Sequence, residues 1–272
     1  MTEEQTAKET GKRRSGLWIL GGIIALLALF AFLPRCNSPK SYAQNAPEIP
    51  KEQRQSQASP ADINILFVGN SHTQYHNLPE IVRDMVKFLH PKKTVRVRAI
   101  GVTFLEDAAT QPECRTAIET AQWNYIVLQA QKISQSGRYN YSKAEGIDIA
   151  RLGKKHGASV FFYSEWGVVG IPDHTARIEK IYQEMADASG AQVVPVGRAW
   201  DFALAERPTL PLYQPDGNHQ TELGAFLTAC TLTSAILKES PAPLAAFPYA
   251  PAKEANRKLL ANAAAKVWKK KP

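Results

Sequence analysis

From residue 63 onward, short continuous apolar runs alternate with longer segments whose apolar residues recur every three or four positions. Ile63 to Val68 is apolar apart from Asn64, the composition of a buried strand. Leu78 to His90 places Leu78, Ile81, Val82, Met85, Phe88 and Leu89 on one side of a helix that Pro91 stops. Thr94 to Ile100 alternates apolar and basic residues, which predicts a strand exposed on one face near a sheet edge. Further strands are predicted over 124–128, 159–163 and 192–196. Further helices are predicted over 113–122, 142–156, 176–188, 198–206 and 222–237, with Gly157 and Gly190 as C-terminal caps. Trp200 and Phe226 read as core, and no internal repeat is present.

Continuous apolar strands separated by helices imply a mostly parallel sheet covered on both faces. Five strands predict a flavodoxin-like three-layer α/β/α sandwich. In that architecture ligands sit beyond the carboxyl ends of the strands, at the topological switch point. The segment Gly69-Asn70-Ser71 follows the first strand and falls at that edge.

The N-terminal part has a different pattern. Gly16 to Leu33 is uncharged and mostly apolar, about long enough to span a bilayer. Lys8, Lys12, Arg13 and Arg14 precede it, against Arg35 and Lys40 close behind. This predicts a cytoplasmic stretch over 1–15 and a transmembrane signal anchor over 16–34, with the remainder periplasmic or extracellular. Cleavage as a signal peptide near Ser41-Tyr42-Ala43, giving a secreted protein, is the alternative, while Leu33-Pro34-Arg35 argues against a lipid on Cys36. Residues 35–61 are rich in Pro, Gln, Ser, Ala and Asn and read as a disordered linker. The domain is expected over 62–250, with 251–272 a basic C-terminal helix or tail.

The net charge of +8 is spread along the chain, densest in the arm before the apolar segment and at Lys269-Lys270-Lys271. That distribution suits attraction to a membrane surface, and nothing resembles a nucleic-acid-binding motif. Cys36, Cys114 and Cys230 do not make a disulfide framework. Cys114 and Cys230 fall in predicted helices and read as two buried free thiols, with a bridge between them the other possibility. A monomer is expected.

The chemistry-bearing residues lie at the two ends of the domain. In Gly69-Asn70-Ser71-His72-Thr73 a serine stands at a strand-to-helix turn, exposed and among main-chain N–H groups. In Pro215-Asp216-Gly217-Asn218-His219 an Asp and a His three residues apart precede the last long helix, where they can act as general base and orienting group. Each segment alone is an ordinary turn. Their joint order and position give the set Ser71, Asp216 and His219. A metal reading joins His72 and His76 to Asp216 and His219, but no Glu base accompanies the pair and Ser71 is left without a role, so neither metal nor cofactor is expected. Trp166, after the fourth strand, is either a wall of the substrate site or a packed loop aromatic. Arg138, Tyr139 and Tyr141 form a rim or an ordinary surface loop. Asn70 and His72 are further candidates for touching substrate.

Gly69-Asn70-Ser71 resembles the nucleophile block of the SGNH (GDSL-like) hydrolases, and Asp216-x-x-His219 resembles their last block. Ile100 to Asp107 is similar to their second block, whose glycine, here Gly101, offers an N–H to the oxyanion. Val194 to Trp200 and Asp216 to Ala225 are like a bacterial branch of that superfamily. The likeness spans Ile63 to Leu237. It implies a serine esterase with a Ser71-His219-Asp216 triad and an oxyanion hole built from the N–H groups of Ser71 and Gly101. The family's Gly-x-Asn is missing at Val127-Leu128-Gln129-Ala130-Gln131, so Gln129, or else Gln131, is expected to supply the side-chain donor. The expected substrates are small-molecule or glycan esters, short O-acyl groups above all. Lysophospholipid or thioester hydrolysis, or glycan binding without catalysis, are the alternatives.

Overall fold

The computed structural model describes residues 61–267. The segments expected as cytoplasmic stretch, anchor and linker, 1–15, 16–34 and 35–61, lie outside the described residues except for Ala61, as does Cys36. No helix among the described residues is long and apolar enough to cross a membrane.

Five strands, β1 (Ile63–Gly69), β2 (Val95–Gly101), β3 (Tyr125–Leu128), β4 (Ser159–Ser164) and β5 (Gln192–Pro195), form one sheet in the order β2-β1-β3-β4-β5. Every pairing is parallel, with Gly69 opposite Gly101 and Val68 opposite Leu128. The chain leaves β1 toward β2 on one side and later returns to β3 on the other, so the switch point falls at the end of β1. β2 is an edge strand, and its arginine-alternating sequence keeps all but Ile100 partly accessible.

The helices, in chain order, are α1 (Ser71–Gln74), α2 (Leu78–Leu89), α3 (Leu105–Thr110), α4 (Pro112–Thr120), α5 (Ala144–Lys155), α6 (His174–Ser189), α7 (Val196–Glu206), α8 (Glu222–Leu237) and α9 (Glu254–Val267). Ile65, Phe67, Val127, Phe161 and Tyr163 face a core shared with α2, α7, α8 and α9. Leu66, Val68, Ile126, Leu128 and Phe162 face a second core with α3 to α6. Alternation along β1 thus serves two apolar layers, which is why its sequence is apolar almost throughout. Trp200 and Phe226 are fully buried, and Cys114 and Cys230 are buried free thiols.

Most element ends fall within two residues of the pattern-based expectation, and two differences change the reading. Val196 opens α7 rather than closing β5. The folded part also runs past Ala250: α9 buries Leu259, Leu260, Ala261, Ala263 and Ala264, most of them in the core beside α7 and α8. Burying such a face contributes roughly 25 cal/mol per Å² of apolar surface, so α9 belongs to the domain rather than trailing from it.

Candidate active site

Ser71 is the first residue of α1, placed there by Asn70, whose side-chain Oδ1 accepts the His72 N–H at 3.0 Å and caps the helix. Asn70 is thus occupied in shaping the turn, and its Nδ2 makes a long 3.5 Å contact with the Thr103 carbonyl across the β2 loop. The turn is tight because Gly69 has no side chain: a Cβ there would come within 2.2 Å of Thr73 Oγ1 and 2.7 Å of Gln129 Oε1. A Cβ on Gly101 would meet Gln74 Nε2 at 2.6 Å, the amide that also donates to the Gly69 carbonyl. Glycine at both positions lets the side chains of α1 lie close against the ends of β1 and β2.

Ser71 Oγ lies 2.9 Å from His219 Nε2, and His219 Nδ1 lies 2.6 Å from Asp216 Oδ2. Asp216 Oδ1 accepts the main-chain N–H groups of Asn218 and His219, each at 2.9 Å. Burial works against the Asp216 charge, but the His219 ring and these two N–H groups outweigh it and hold the carboxyl well below the usual carboxylate range. His219 is 4 % exposed. The three side chains therefore form one hydrogen-bonded line, with the carboxylate ionised at neutral pH.

Two rings stack on the imidazole of His219. Tyr75 stacks at 4.7 Å and 24°, and His72 at 5.3 Å and 30°. The chain reverses just after Tyr75 through His76 and Asn77, both left-handed at φ 56° and 52°. Gln220, fully buried, donates its amide to the carbonyls of His72 (3.1 Å) and Tyr75 (3.2 Å) and so ties the α1 segment to the His219 loop. Neither Tyr75 nor Gln220 stands out in the sequence, because their roles depend on a contact between segments about 145 residues apart. His72 Nε2 lies 3.2 Å from the Asn218 carbonyl and His76 Nε2 lies 3.0 Å from that of Gln220. A nitrogen that faces a carbonyl carries the proton. Burial, and then the neighbouring His219, push the His72 ring down to about 4.

Three expected site residues are placed elsewhere. Gln129 is fully buried behind the nucleophile turn, where its Oε1 accepts the Asn70 N–H at 3.1 Å and the Thr73 hydroxyl at 2.9 Å. Gln131 turns the other way and donates to the carbonyls of Lys132 and Ser142. The Gln129 oxygen is thus taken by the turn that carries Ser71, and the Gln131 amide by two carbonyls. Trp166, 2 % exposed, is not a wall of the site: it stacks on Trp200 at 3.8 Å and donates to the Asn218 carbonyl at 2.8 Å. It supports the His219 loop from below.

A cluster of aromatic and charged side chains includes Phe104, which follows Thr103, the residue whose carbonyl Asn70 contacts. Lys132 Nζ lies 5.2 Å from the Phe104 ring centroid and 4.9 Å from that of Tyr141, and pairs with Glu106 at 3.3 Å. Tyr139 is 67 % exposed beside them in sequence, and Val169, 57 % exposed, packs against Gly217 on the His219 loop.

No protein-family model and no curated protein sequence matches the chain. Solved structures do. The chain resembles a candidate SGNH hydrolase from Slackia heliotrinireducens at a TM-score of 0.52 and 21 % identity, over 63 % of this chain and 97 % of that one. It resembles a DUF4886 family protein from Bacteroides uniformis at a TM-score of 0.58 and 17 % identity, over 75 % of this chain and 93 % of that one. The fold is that of the SGNH hydrolases.

Proposed function

We propose that the protein is an SGNH-type serine esterase in which Ser71 is the nucleophile, His219 the general base and Asp216 the group that orients it. The observation behind this reading is the unbroken line from Ser71 Oγ to His219 Nε2 (2.9 Å) and from His219 Nδ1 to Asp216 Oδ2 (2.6 Å). With Asp216 ionised, Nδ1 keeps its proton and Nε2 is free to take the one on Ser71.

The reaction follows from these positions. As Ser71 Oγ attacks the ester carbonyl carbon, its proton passes to His219 Nε2, and the carbonyl π electrons move onto oxygen. The N–H groups of Ser71 and Gly101 hold that oxyanion. Collapse expels the alkoxide, which takes the proton from His219, and leaves an acyl-serine. Water then attacks the acyl carbon, giving its proton to His219, and the second collapse returns Ser71 and releases the acid. Since Gln129 is fully buried behind the turn and the Gln131 amide is taken by two carbonyls, the hole is assigned to main-chain donors. One lost donor typically costs about 2.7–4 kcal/mol of transition-state stabilisation, so catalysis here leans on the geometry of two glycine-bounded strand ends.

The substrates favoured are carboxylic esters with short acyl groups, O-acetyl groups on glycans in particular. The support is the expected export of the domain by the apolar segment at 16–34 and the exposed Tyr139 and Tyr141, which would offer sugar rings aromatic faces if their loop borders the site. A p-nitrophenyl ester series of increasing chain length, with Ser71→Ala as control, tests this. Turnover highest for acetate and absent in the variant is expected. Preference for long chains would favour lysophospholipid or thioester substrates instead.

A further inference from the structure

Behind the nucleophile turn lie three buried side chains with no part in this reaction, Gln129, Glu165 and Tyr182. A main-chain N–H can only donate, so the Asn70 N–H fixes Oε1 of Gln129 toward the turn and leaves Nε2 turned toward the Glu165 carboxyl. The Tyr182 hydroxyl oxygen accepts the N–H groups of Ala130 (3.2 Å) and Gln131 (3.0 Å), so its proton must point elsewhere, and it too faces Glu165. Ala130 sits at φ 87°, which an L-residue holds only when its surroundings impose it. Its carbonyl accepts the Leu105 N–H at 2.9 Å, which joins this turn to the segment that follows Gly101. The Gln129 amide and the Tyr182 hydroxyl thus both face Glu165. Gln129 Nε2 and Glu165 Oε2 are each buried without a hydrogen bond inside 3.5 Å, one a donor and the other an acceptor. The titratable groups facing Glu165 are Tyr182 on α6 and Tyr163 on β4.

We propose that Glu165 is a positioning residue, the shared acceptor through which Gln129 holds the Asn70–Thr73 turn and Tyr182 holds the left-handed Ala130 turn. One buried carboxyl then sets both the Ser71 side and the Gly101 side of the site. Its neighbour Trp166 adds a third tie, to the His219 loop through the Asn218 carbonyl. The kinetic consequence rests on the esterase reading. The structural consequence does not.

The experiment is amide hydrogen exchange by mass spectrometry on the full chain as wild type, Glu165→Gln, Glu165→Ala and Tyr182→Phe, with p-nitrophenyl acetate kinetics beside it. Glu165→Ala should speed exchange over 69–74 and 129–131 by on the order of tenfold or more, with α9 unchanged. Its kcat should fall at least about tenfold with KM nearly constant. Glu165→Gln keeps the shape and one acceptor oxygen but turns an NH2 toward donors, so it should fall between. Tyr182→Phe should loosen 129–131 alone. Unchanged exchange over both turns in Glu165→Gln and Glu165→Ala would overturn the proposal, whether or not esters are hydrolysed. Faster exchange in a protein that is inactive even as wild type would uphold the positioning role and remove the esterase reading.

Discussion

His72, the residue next to Ser71 in the chain, lies with its imidazole stacked on that of His219 at 5.3 Å. The nucleophile turn therefore carries on one side the hydroxyl that His219 is to deprotonate and on the other a ring that fixes the plane of the base. Tyr75 stacks on the same ring at 4.7 Å. An imidazole clamped in this way gives up ring rotation before substrate arrives, which lowers the ordering needed in the transition state.

Removing the clamp should slow turnover without abolishing it. Tyr75→Ala and His72→Ala are each expected to lower kcat on the order of tenfold, well short of the about 10²–10⁴-fold that a general base supplies. Steady-state kinetics with a short-chain p-nitrophenyl ester checks this. A loss as deep as that of His219→Ala would mean that the ring reacts rather than supports.

Asp216→Asn should leave the fold intact and lower kcat by roughly 10³–10⁴-fold, since an amide no longer fixes the Nδ1–H tautomer. Circular dichroism and kcat measured together separate this from unfolding. The Asp216 carboxyl is held below its ordinary value, so the stability it supplies is present above about pH 4 and fades as the pH drops below that.

Glu165 works in the opposite direction. Burial pushes its carboxyl from the ordinary 4.5 up to about 7. Below 4.5 both folded and unfolded chains keep the proton, so the group contributes no pH dependence. Between 4.5 and about 7 the unfolded chain ionises while the folded one does not, and stability falls as pH rises. Melting temperatures across that window should decline less in Glu165→Gln than in the wild type. Parallel profiles would contradict the assignment.

The C-terminal helix should matter for folding. Leu260 on α9 is fully buried, and Leu260→Ala is expected to cost about 2–5 kcal/mol of stability. A chain ended at Ala250 should be unstable. Urea unfolding measures both.

Much of this was legible in the residues. Strand-by-strand apolar runs are a local signal, so the parallel sheet and the end of β1, where Ser71 stands, followed directly; Asp216 and His219 came from their spacing before the last long helix and from the family resemblance. What failed depended on which way a side chain turns. Gln129 stands at a strand end, where a donor was expected, but the Asn70 N–H and the Thr73 hydroxyl capture its oxygen and draw it behind the sheet. Trp166 was open between wall and packing until the Trp200 stack decided it. Tyr75 was missed because its ring reaches His219 only after the reversal at His76 and Asn77. For α9 a signal did exist: Leu259, Leu260, Ala263, Ala264 and Val267 recur at helical spacing, but small alanines weaken the contrast with a polar tail.

The central claim is that Ser71 is the activated nucleophile. Labelling the purified protein with a fluorophosphonate probe and mapping the modified peptide tests it most directly. A single adduct on Ser71, absent in Ser71→Ala and strongly reduced in His219→Ala, is the predicted result. A folded wild-type protein that takes up no label, or takes it on another residue, would contradict it.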